Sequence, residues 1–140
     1  MIWGTFALIF AAAFAGASFY VNWVEQPARL KLEDEALLGE WGPSDSRGVA
    51  LLAAYALIAA IAGFIAYFES QDVRWAFGAL VIIMSWPYAF FLMTPVDNQI
   101  RALRGPDVAA ARALVRQWGL IETGLTGLGV AALAFFVWAV

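Results

Sequence analysis

The chain has 140 residues, 64% of them hydrophobic and 14% charged, and carries a net charge of −3. That balance excludes an ordinary soluble domain and argues against a nucleic-acid surface, so no nucleic-acid partner is expected. With no cysteine and no histidine, it also excludes disulfides, thiolate nucleophiles, imidazole bases and the usual haem and zinc ligands.

Four apolar stretches, at 2–22, 48–68, 75–93 and 118–140, have membrane-spanning length. About 20 apolar residues cross the ~30 Å hydrocarbon core as a helix. Four such segments use most of the chain, which predicts a single transmembrane domain over residues 1–140. The fold class is all-α, an integral membrane four-helix bundle. A barrel would need ~10-residue alternating segments instead of long apolar runs.

The first stretch contains Ala15-Gly16-Ala17, which resembles a cleavage site. No Lys or Arg precedes the apolar run, so it reads as a true span and not a signal peptide. At its end, Ser18, Asn22, Glu25 and Arg29 are spaced to share one helical face. Pro27 lies between the last two and is expected to loosen the helix. This cluster reads either as an interfacial helix end with an ion pair or as part of a site.

The first connector reads as a short amphipathic helix lying on the membrane surface through Leu30, Leu32, Leu37, Leu38 and Trp41. Gly42-Pro43 should break it, with Ser44 or Asp45 capping the second span. Arg47 would stand at the mouth of the bundle or snorkel to lipid phosphate. The third span ends in Ser85-Trp86-Pro87-Tyr88, followed by Thr94-Pro95. Pro87 frees the Ile83 carbonyl for Ser85, water or a ligand, and Pro95 is expected to end the helix. Asp97 and Asn98 would then lie in a turn.

A further helix should begin near Pro106 and run into the last span. There, Gly119, Thr123 and Gly127 form a small-residue face, and Arg112 and Arg116 suit anionic lipid or a carboxylate partner. Glu122 sits inside the hydrocarbon, where a carboxylate must find a partner or hold its proton. It reads as a functional acid or as a protonated link between helices. The first and third connectors hold Arg29, Lys31, Arg47, Arg101, Arg104, Arg112 and Arg116, against Arg74 alone in the second. The positive-inside rule therefore turns both termini outward, in the inner cell membrane.

The segments NWVEQPARL (22–30), WGPSDSRG (41–48), SWPYAFFLMTPVDNQI (85–100) and VRQWG (115–119) together resemble the anthrone oxygenase-like family of small four-span membrane proteins. Asn22, Glu25, Arg29, Trp86, Pro87, Tyr88, Pro95 and Asn98 fall on that family's recurrent pattern. Many relatives carry a histidine early in the last span, with an arginine three residues on; here those positions hold Glu122 and Leu125. The resemblance implies a cofactor-independent oxygenase or oxidase acting on an apolar aromatic, anthrone-like or quinol-like compound. In that scheme the catalytic residues are Glu122 or Glu25 as base and Tyr88 as oxyanion donor. Asn22, Arg29, Arg47, Trp86, Thr94 and Asn98 would contact substrate, with Trp23 and Phe90 stacking on its rings. No metal or other cofactor is expected. Two rival readings are a non-enzymatic subunit of a larger membrane complex or homo-oligomer, and a small transporter or lipid- or quinone-binding protein with Glu122 as a proton-coupled site; membrane lipids are expected partners in each.

Overall fold

A computed structural model describes residues 1–140. Four helices, α1 (Ile2–Arg29), α2 (Asp34–Ser70), α3 (Val73–Arg101) and α4 (Gly105–Ala139), are each long and apolar enough to cross a membrane. Their connectors, 30–33, 71–72 and 102–104, are so short that consecutive helices must run antiparallel. Helices α1 and α3 each pack against both α2 and α4, which closes an all-α four-helix bundle. One end holds the first and third connectors and the arginines of the adjoining helix ends; the other holds both termini and the 71–72 turn. These are called the basic and terminal ends.

The terminal half is tightly filled. Buried alanines such as Ala7, Ala11, Ala59, Ala79 and Ala132 let the backbones approach, the usual route to helix association in lipid. The Phe136 ring stacks on Trp75 with centroids 5.6 Å apart. It also lies so close to Gly78 that an added Cβ would stand 2.5 Å from its Cδ1.

The basic half departs from regular helix, and here the proline expectations need correction. Gly42-Pro43 does not break the chain: α2 runs through Pro43 without interruption. The expected surface segment is the start of α2. Leu37 and Trp41 are buried in the bundle and do not lie on the membrane surface. Ser44 and Asp45 are mid-helix, not caps. Pro95 does not end α3, so Asp97 and Asn98 are helical.

The same device accommodates two of the prolines. A wide π-turn, Val21–Glu25 in α1 and Ala89–Met93 in α3, directly precedes Gln26-Pro27 and Thr94-Pro95. Proline lacks an N–H and clashes with the carbonyl four residues back; a turn closed five residues back moves that carbonyl aside. Gln26 N–H donates to the Val21 carbonyl and Thr94 N–H to the Ala89 carbonyl. The loosening expected at Pro27 thus takes the form of an inserted residue.

Candidate functional site

An inserted residue rotates everything after it by about 100°. In α1 this splits a face that even helical spacing would keep together. Ser18 and Asn22, before or within the wide turn, face α4. There the Ser18 hydroxyl donates to Glu122 Oε1 at 2.8 Å and the Asn22 amide donates to Oε2. The Ser18 hydroxyl also lies 2.7 Å from that of Thr126. Glu25 and Arg29 face α2 instead. The Arg29 guanidinium pairs with Glu25, meets Glu40 Oε2 at 2.9 Å and donates to Ser44 Oγ at 3.0 Å. Arg29 is buried, and its guanidinium lies over the Trp118 ring, 5.4 Å from the centroid.

Trp118 also lines a cavity of about 320 Å³ between α2 and α3, reaching inward to α4. Phe14, Leu52, Met93, Trp86 and Phe90 supply apolar walls, and Asp45, Ser85, Asp97 and Glu122 supply polar groups. Val49, Trp86 and Phe90 are both cavity lining and exposed on the outer surface, so the opening faces sideways, toward the position of lipid. No lysine or arginine lines the cavity. Arg101 reaches Asp45 from outside it, holding Oδ2 at 2.7 Å while stacking over Trp41 at 4.9 Å.

Four buried polar atoms in this wall make no hydrogen bond: Ser85 Oγ, Asp45 Oδ1, Asp97 Oδ1 and Trp118 Nε1. The Trp118 N–H is close enough to both aspartates to act on them electrostatically but is aligned with neither. Buried polar groups are normally paired, and unpaired ones gathered around a space are what a ligand pocket presents before it is filled. No three carboxylates converge in a way that would hold a metal ion.

The sequence-predicted residues divide accordingly. Glu122, Trp86 and Thr94 line the cavity. The Trp86 indole donates to the Ala53 carbonyl at 3.2 Å, and Thr94 Oγ1 donates to that of Ala89 at 3.2 Å. Asn22 stands behind Glu122, with Glu25 and Arg29 in the ion-pair cluster. Tyr88 does not line the cavity; its hydroxyl donates to the Ile121 carbonyl at 2.5 Å, over Gly124, and locks α3 to α4. Arg47 and Asn98 are exposed and make no side-chain hydrogen bond in the structure. Trp23 is 72% exposed and stacks on Phe19, away from the cavity.

Ser85 does not satisfy the Ile83 carbonyl freed by Pro87, because its hydroxyl faces the cavity unpaired. The small-residue face also splits: Gly119 packs on Gln26, but Gly127 meets nothing and, with Thr123, lines an open groove between α1 and α4. Asp45, Asp97 and Trp118 are site residues that even helical spacing misses. Counting one inserted residue before Thr94 turns 85, 89, 93 and 97 into a single lining row.

Comparisons with protein-family models, curated proteins and solved structures find no match to this chain.

Proposed function

We propose that the protein lies in the inner cell membrane with both termini outward, takes a flat apolar ring compound from the lipid phase and oxidises it with dioxygen, as an anthrone oxygenase-like enzyme. The observation that carries this reading is the side-opening cavity with a buried carboxylate, Glu122, in its wall. Glu25 is engaged by Arg29 and Ser44 outside the cavity, which leaves Glu122 as the base.

The chemistry follows from the substrate class. Glu122 takes a proton from the ring methylene, and the carbanion delocalises onto the carbonyl oxygen. Trp118 Nε1 and Ser85 Oγ are the unpaired donors available to that oxygen. One electron passes to dioxygen, and the resulting radical pair joins in a C–O bond. The hydroperoxide oxygen recovers the proton from Glu122. Loss of water, using the second methylene hydrogen, leaves a new carbonyl. Anthrone and dioxygen thus give anthraquinone and water, with the apolar walls keeping bulk water from the carbanion.

Anthrone consumption and dioxygen uptake by the purified protein test this directly. The wild type should consume the two one to one. Glu122→Gln should lower turnover by about 100-fold, the usual worth of a positioned base, whereas Glu25→Gln should change it little. Equal turnover in Glu122→Gln removes the base, and no turnover in the wild type removes the reaction.

A non-enzymatic subunit that binds a partner helix, a second copy, lipid or quinone is the second reading. It is favoured by the open α1–α4 groove, where Gly127 has no neighbour. Purification with a stoichiometric partner, and without oxygenase activity, would establish it.

A further inference from the structure

The cavity has an electrostatic asymmetry that the oxidation chemistry does not use. Three carboxyl groups line it, and only Asp45 has an ion-pair partner, Arg101. Glu122 is held by the neutral donors Ser18 and Asn22, and Asp97 makes no ion pair. The nearest other guanidinium, Arg29, is committed to Glu25 and Glu40. Asp45 and Ser85 are 5% and 4% exposed, yet each keeps an unpaired oxygen at the cavity. Aromatic faces complete the lining at Phe14, Trp86, Phe90 and Trp118.

Acceptor oxygens without cations, beside π-faces and in low dielectric, favour one ligand charge strongly. A cation gains from the carboxylates and from the ring quadrupoles together, while an anion has only the neutral donors Trp118 Nε1 and Ser85 Oγ against that negative charge. The carboxylates do not converge on a metal position, and the space suits a body much larger than an ion. We infer that the cavity is selective for flat aromatic amines in their ammonium form, the positive end seated by Asp45, Ser85 and Asp97. This deepens the preceding reading and shares its ligand site. A ring bearing its own positive charge would add to what the neutral donors Trp118 and Ser85 supply against the negative charge that proton removal builds, since no lining side chain is cationic.

The test compares three probes with one ring: 9-(aminomethyl)anthracene, 9-(hydroxymethyl)anthracene and anthracene-9-carboxylate. Their binding to the full-length protein in detergent is read by equilibrium dialysis against protein-free micelles. The ammonium should bind at least about tenfold tighter than the alcohol, as one desolvated ion pair implies, and the carboxylate weakest. Asp97→Asn should remove most of that advantage and Asp97→Glu should keep it, read as the ratio of ammonium to alcohol affinity. An alcohol that binds as tightly as the ammonium overturns the inference, as does an Asp97→Asn variant that weakens both probes equally. Anthrone turnover without any ammonium preference would sink the charge selectivity alone; failure of every ring probe to bind would sink the shared site.

Discussion

The two halves of the bundle are made from similar apolar residues but solve different problems. In the terminal half the helices are regular, Phe136 fills the space between Gly63, Gly78 and Trp75, and almost every polar group is at the turn. In the basic half, two π-turns interrupt the helices, five carboxyl groups (Glu25, Glu40, Asp45, Asp97 and Glu122) gather, and a cavity remains between α2 and α3. Close packing sets the stability of a helical membrane bundle. A region that gives up packing and leaves buried polar atoms unpaired at a cavity is therefore marked for binding, and the filled half is its scaffold.

The contrast can be broken at several points. The largest effect is expected at Arg29, the buried cation that bridges Glu25 and Glu40. Arg29→Met should cost on the order of 3 kcal/mol, since removing one partner strands the others. Adding Glu25→Gln and Glu40→Gln should restore most of the lost thermal stability. If the single variant melts like the wild type, the cluster contributes nothing.

A matched pair of glycine substitutions separates the halves next. Gly78→Ala drives a methyl into the Phe136 ring and should cost about 1–3 kcal/mol by overpacking. Gly48→Ala, at a cavity-lining position where a Cβ meets nothing within 4 Å, should gain up to about 1 kcal/mol from helix propensity. Equal melting shifts would mean that the two halves are packed alike.

The smallest effect lies at the 71–72 turn. Asp72 caps α3 by accepting from the Arg74 N–H at 3.0 Å and from its Nε at 2.9 Å, and Arg74 holds this half-buried carboxyl below the ordinary aspartate range. Its contribution is therefore complete above the unfolded aspartate value, about pH 4, and is lost as pH falls through the lower folded value. The small melting difference between wild type and Asp72→Asn should be constant from pH 7 to 5 and close on further acidification. A difference that widens with acid would contradict the assignment.

Much of the fold was legible because lipid enforces it: hydropathy alone marks four spans, and the arginines mark one end. Their boundaries were not, because proline was read as a stop signal. Pro43 stays inside α2, while Pro27 and Pro95 are carried by a wider turn ahead of each. The same inserted residues explain the partial view of the site. Glu122 is legible from depth alone, since any carboxyl there must be accommodated. Asp97 is not, because a helix expected to stop at Pro95 leaves it in a turn, and the family resemblance points to its neighbour Asn98, which is exposed. Asp45 and Trp118 were hidden for another reason. Asp45 reads as a cap beside Gly42-Pro43 and Trp118 as the first residue of the last apolar stretch, and only the packing of α2 against α3 and α4 turns them inward.

The central claim is that ligand enters the basic-half cavity while the rest of the bundle supports it. Anthrone binding to the wild type and to Ala53→Phe, which places a ring in the cavity wall, tests that claim most directly. Saturable binding should vanish in the variant while its melting temperature stays within a degree or two of the wild type. Undiminished binding with the cavity filled would contradict the account.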